Sequence, residues 1–305
     1  MTLLRDRRAA ARLAALAALL ALGWWLRTLP PLNLMAAVAW PWARTAVTVY
    51  YADGPYLYPL SRRLAQDAEL PRAAVEALLA GPPAHSPLTS AVPPGLRLQA
   101  MDVVGHVAHV RLSGPAQALR DAPLGVPAIV ATLTRVPGIT RVALTVDGAA
   151  MTGSSARTSL LYYPSVRGLV ALPTAAPDPR AALDAFLAGP SSPDLTGLPA
   201  DARLLEYDFD RTDGILSLRF AYTPSVRALA LERPDRMRFL LLGLIATLTG
   251  YPEVEAVQLD FGGQSRLGLG ECSDLLRTPQ QRPSLLNDER LLDRIGRLAA
   301  SGVPR

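Results

Sequence analysis

Three histidines, one cysteine and a scatter of carboxylates are the residues of this chain that could do chemistry, and their spacing argues against it. His106 and His109 stand three apart in a segment patterned like a strand, so their side chains leave on opposite faces and cannot jointly grip a metal ion. His85 lies in a proline-rich loop, and all three histidines read as solvated or locally hydrogen-bonded groups. Asp208, Asp210 and Asp213 before Gly214 are spaced like the start of a calcium loop. The bidentate acid such a loop needs six residues after the glycine is replaced by Phe220, which leaves a hairpin turn. Ser154 and Ser155 lack the following glycine and the preceding strand of a nucleophile elbow. Gly81-Pro82 and Gly189-Pro190 close helices instead of opening them, so neither cradles a phosphate. The expectation is a chain with no catalytic, cofactor-binding or metal-ligating residue: not an enzyme. Cys272 is single, so no disulfide forms within the chain; it reads as a small buried hydrophobe, with an intermolecular thiol as the alternative.

The elements around these residues are short. The 28 prolines and 22 glycines of the 305 residues imply many brief segments divided by turns. Val47 to Tyr51 and the apolar stretch from Tyr56 are β-branched and aromatic around Asp53-Gly54-Pro55, which predicts a hairpin. Pro71 opens a helix with Ala74, Val75, Leu78 and Leu79 on its apolar face, and Gly81-Pro82 stops it. Leu96 to Val104 and Val107 to Leu112 form a second hairpin about Gly105. Val126 to Arg135 reads as a helix ended by Pro137-Gly138, and Arg141 to Val146 as a strand closed by Asp147-Gly148.

The whole series then repeats in the same order. Tyr50-Tyr51 is answered by Tyr162-Tyr163, the helix from Pro71 by one from Pro179, and Val92-Pro-Pro-Gly by Leu198-Pro-Ala-Asp. The strand from Val107 returns from Ile215, and the block from Ile129 to Gly148 returns from Leu244 to Gly263. The largest surplus of the second copy falls near Thr223 to Pro234. These blocks predict an α+β fold of two tandem modules, each hairpin-α-β-β-α-β, with helices on one face of a mixed or antiparallel sheet. Residues 45–152 form the first module and 158–268 the second, joined by a small polar linker. A tail, 269–305, ends in an amphipathic helix from Ser284 that packs back on the second copy, with docking onto a partner as the alternative.

Charge separates the first 44 residues from the rest. All 31 basic residues are arginine, and the net charge of +5 resides in Arg5, Arg7, Arg8, Arg12, Arg27 and Arg44 against Asp6, so the body is neutral and offers no nucleic-acid surface. The arginines precede an apolar run, Leu13 to Leu26, with Trp24, Trp25, Trp40 and Trp42 placed for an interfacial belt. No small-x-small cleavage site follows. The segment 1–44 therefore reads as an uncleaved signal anchor that puts the body outside the cytoplasm, secreted if the signal is cleaved. Arg62 and Arg63, or Arg233, Asp235, Arg236 and Arg238, could form partner-facing patches, although a solvated face is the plainer reading. Tyr50, Tyr51, Tyr56 and Tyr58 could contact glycan strands, although hairpin core and cross-strand pairs are the plainer reading.

With Tyr50-Tyr51, the Leu78-Leu-Ala-Gly-Pro82 stop, Val92-Pro-Pro-Gly95, the Ala131-Thr-Leu-Thr134 block through Pro137-Gly138 to Gly148, and their counterparts at Phe186 to Pro190 and from Ala246, the chain resembles the GerMN domain family in two tandem copies. The first copy is the better match. The resemblance implies a fold related to ring-building modules of secretion-like assemblies. It also implies a structural role at the outer face of a cell membrane, in sporulation, spore germination or envelope assembly. The partners it implies are other envelope or sporulation complex proteins or further copies of the modules, with peptidoglycan as the alternative, and no cofactor.

Overall fold

A computed structural model describes residues 45–64, 69–152, 157–262, 269–283, 286–288 and 292. The expected anchor (1–44), much of the linker and nearly all of the expected C-terminal helix lie outside the described residues. Among those described, no helix is long and apolar enough to cross a membrane.

The first repeat opens with β1 (Thr45–Asp53) and β2 (Tyr56–Leu64), followed by α1 (Leu70–Leu79). Then come β3 (Arg97–Val104), β4 (Val107–Ser113), α2 (Ala116–Asp121), α3 (Gly125–Leu133), β5 (Arg141–Val146) and β6 (Ala149–Ala150). The second repeat runs β7 (Ser159–Ser165), β8 (Gly168–Thr174), α4 (Pro179–Leu187), β9 (Leu204–Asp210), β10 (Ile215–Phe220), α5 (Pro224–Glu232), α6 (Pro234–Leu248) and β11 (Ala256–Phe261). A 3-10 helix (Gly270–Leu276) and β12 (Gln280–Gln281) follow. The surplus of the second copy is helical: α5 and α6 have 9 and 15 residues where α2 and α3 have 6 and 9.

Local signals set the helix ends. Prolines occupy the first turns of α1, α4, α5 and α6, where their missing N–H is harmless. Asp178 caps α4 by accepting from the Ala181 N–H at 2.8 Å, and Thr223 caps α5 through Val226 at 3.3 Å.

The sheets depart from the expected plan in one respect. The expectation places each copy's hairpin with its own remaining strands, whereas the two hairpins leave their modules and join each other in an antiparallel sheet, ordered β1-β2-β8-β7. The cause is visible in their burial. Val49, Tyr50 and Tyr51 in β1 and Leu160 through Tyr163 in β7 are consecutive buried residues, so both faces of the hairpins need cover, unlike a strand with one wet face. The remaining strands form two mixed sheets, β3-β4-β5-β6 and β12-β11-β10-β9, in which β4 runs parallel to β5 and β10 parallel to β11.

The shared sheet has two exposed-edge problems and solves both alike. Tyr50 and Pro59 are opposed without exchanging hydrogen bonds, so the Tyr50 N–H points away from β2, as the Pro59 carbonyl points away from β1; Thr132 of α3 accepts the Tyr50 N–H at 3.1 Å. In the second copy, Thr247 of α6 accepts the Tyr162 N–H at 3.0 Å. Each helix thereby covers an edge strand that would otherwise be open to pairing. Direct pairing between β2 and β8 is brief, centred on Leu57 and Ala171. Beyond it, buried Asn287 stands between the strands, donating to the Pro59 and Leu169 carbonyls at 2.8 Å each and accepting from the Leu169 N–H at 2.9 Å. The chain around Asn287 thus lies between both copies, not on the second alone.

Candidate functional site

The residues singled out by type stand apart. His106 sits in the β3–β4 turn at φ +67°, not in the strand, with its ring Nδ1 2.9 Å from the Gly138 carbonyl. His109 is exposed on β4 and His85 exposed in its loop. Asp210 accepts from the Thr212 and Asp213 N–H groups at 2.8 and 3.4 Å, which makes it the cap of a turn. Among the described residues no three or more His, Cys, Asp or Glu side chains are grouped to hold a metal. Cys272 is buried, and burial pushes its thiol up to about 11. The second arginine patch folds back on its own chain: Arg238 forms a bidentate pair with Asp274 at 2.9 and 3.0 Å, and Arg236 donates to Thr196 at 2.8 Å. Tyr50, Tyr51 and Tyr58 are fully buried and Tyr56 nearly so, which removes them as a glycan-contacting surface.

What the sequence does bring together are the repeated tyrosine pairs. The second tyrosine of each pair serves its own module: Tyr51 donates to the Ala77 carbonyl at 2.9 Å and Tyr163 to the Phe186 carbonyl at 3.0 Å, satisfying last-turn carbonyls of α1 and α4. The first tyrosine of each pair serves the junction. The Tyr50 and Tyr162 hydroxyls hydrogen-bond to each other across the two copies. Burial, above all, raises the Tyr50 hydroxyl far beyond its ordinary value, so it remains a neutral phenol.

Two guanidiniums converge on this pair. Arg135 donates through Nε to Tyr50 at 3.1 Å and through Nη2 to Tyr162 at 3.1 Å; Arg282 donates to Tyr162 at 3.3 Å and to the Thr249 carbonyl at 3.0 Å. Burial and then repulsion from Arg135 lower Arg282 to about 10. Arg157 approaches from the linker, bonding to the Gly250 carbonyl and lying 5.0 Å from the Tyr251 ring centre. The three arginines line a cleft of about 230 Å³ between the Pro137-Gly138 turn of the first copy and the Gly250 to Pro252 turn of the second.

The repeat explains how the cleft stays open. Aligning Thr134 with Thr249 sets Arg135 against Gly250, so the copies differ where they meet. A Cβ at Gly250 would lie 2.8 Å from the Thr247 carbonyl oxygen and 3.7 Å from Nη2 of Arg135. That break in the repeat is a sequence signal for the junction. Arg282 and Asn287 lie beyond both copies and give none.

Hairpins joined edge to edge, each flanked by a mixed β-β-α-β layer, define a tandem α+β repeat protein. The family profile described as "Germane: Sporulation and spore germination" matches residues 48–152 and 160–266, so the chain belongs to that family. Among solved structures, the tandem GerMN domains of the sporulation protein GerM from Bacillus subtilis share the fold: 16% identity and a TM-score of 0.57, covering 81% of this chain and 99% of that one. A putative lipoprotein from Clostridium perfringens covers 38% of this chain and 83% of its own at 20% identity and a TM-score of 0.23. No curated protein matches in sequence.

Proposed function

We propose that this chain is a non-enzymatic structural protein of sporulation or spore germination, which holds an envelope complex together from the outer side of a membrane. The observation that carries the reading is the use of the junction. Tyr50 and Arg135 of the first repeat bond to Tyr162 of the second, which Arg282 of the tail also holds, so these polar side chains fix the relative placement of two modules. Family membership supports the sporulation setting. The arginine-led apolar segment at residues 13–26 supplies the tether and the proposed extracytoplasmic location.

Partners meet the body through the outer strands of the two mixed sheets. β3 and β9 each pair on one side only among the described strands, and Val103, Val104 and Leu205 stand exposed on them. Such edges add strands from a neighbour, another envelope protein or a second copy.

Deleting the gene in its host and scoring heat-resistant spores, germination and envelope assembly tests the proposal. A defect in at least one of them, restored by the wild-type gene, is expected. Normal performance in all three would contradict it.

A further inference from the structure

We infer that the cleft between the repeats binds a doubly charged phosphate group, as inorganic phosphate or a phosphate monoester.

Arg135, Arg157 and Arg282 line one small cleft, and no carboxylate is among its lining residues. None of the three forms an ion pair with an Asp or Glu among the described residues. Arg135 and Arg282 are drawn into the protein while Arg157 is exposed at the rim, and a guanidinium drawn in is ordinarily neutralised, because an uncompensated charge out of water is costly. Here the acceptors are the phenols of Tyr50 and Tyr162 and the carbonyls of Thr249 and Gly250, which satisfy hydrogens and leave the charge standing. The arginines also repel one another: burial first, and then Arg135, push down the proton affinity of both Arg157 and Arg282. Glu253 is the one carboxylate that offsets this, acting on Arg157 from outside the cleft lining; the other offsetting groups are the neutral phenols of Tyr251 beside Arg157 and of Tyr50 and Tyr162 beside Arg282. Three guanidiniums against one carboxylate leave two positive charges, which a phosphate dianion cancels and a monocarboxylate does not.

Geometry selects the same class. Tyr50 and Tyr162 fix the guanidinium of Arg135, and Tyr162 with Thr249 fixes that of Arg282, so the forks are held in place before a ligand arrives. Each fork retains N–H groups beyond those bonded to protein, in the planar arrangement that meets phosphate oxygens two at a time. A volume of about 230 Å³ admits a phosphate with part of the group it is attached to, and is small for a larger ligand.

The test is calorimetric titration of the full chain in detergent with inorganic phosphate, at ionic strength held constant with sodium chloride. Saturable binding of one phosphate per chain is expected. R157Q, at the rim and clear of the tyrosine pair, and R282Q should each weaken it about tenfold or more. R120Q, an exposed arginine on α2, should leave it unchanged. Lipid added to the same detergent micelles distinguishes the sources: displacement by phosphatidic acid, but not phosphatidylcholine, assigns the site to a lipid headgroup, and no displacement by either assigns it to a soluble phosphate. Absence of saturable phosphate binding, equal binding of acetate, or full affinity in both R157Q and R282Q would overturn the inference.

Discussion

Cys272 shows how the surroundings of one side chain decide its chemistry. It lies fully buried beside Pro234, donating weakly to that residue's carbonyl at 3.5 Å, and burial raises its thiol to about 11. A thiol at about 11 instead of 9.0 holds roughly a hundredth of the usual thiolate, so iodoacetamide at pH 8 should label the native chain at least about a hundredfold more slowly than the urea-unfolded chain. The sign for stability follows. Between the ordinary thiol value and about 11 the folded form keeps a proton that the unfolded form releases, so the contribution of Cys272 is present at lower pH and declines as pH rises through that window. Comparable labelling rates in the two states would contradict the burial. The repeated tyrosines divide their work in the same local way: Tyr51 and Tyr163 are held by helix ends, while Tyr50 and Tyr162 meet across the junction.

At the scale of elements, contact between α6 and β7 depends on having no side chain at one position. Gly243 lies where a Cβ would come 2.4 Å from the Tyr162 carbonyl oxygen and 3.2 Å from Leu169, and the backbone oxygen cannot step aside. Its repeat counterpart in α3 is Ala128, so the requirement belongs to the second copy alone. G243A should therefore lower stability by about 1–3 kcal/mol despite the better helix propensity of alanine. Urea denaturation would check it, and an unchanged or raised midpoint would contradict the close approach.

Much of this level was legible in the sequence. Proline-led helices, Gly-Pro stops and paired tyrosines announce each element and its repetition, because such signals are local. The joining of the hairpins is not legible, because β2 and β8 are far apart in sequence and meet over a short stretch completed by Asn287. The uninterrupted apolar runs at Tyr50 and Tyr162 nevertheless say that these strands are covered on both faces. The arginine cleft is half legible: the Arg135-to-Gly250 break points to it, while Arg282 arrives from outside the repeat.

For the whole molecule, the central claim is that two copies of one module have become a single body. The Tyr50–Tyr162 bond, the Arg135 bridge and the Asp53–Arg167 ion pair cross between copies, and Asn287 links the two from the tail, bonding Pro59 of one and Leu169 of the other. Hydrogen exchange of the full chain along a urea series, read by mass spectrometry, tests it most directly. The amides of β1–β2 and β7–β8 should lose protection together at one urea midpoint. Two midpoints, with one hairpin protected after the other has opened, would show two independent modules and contradict the account.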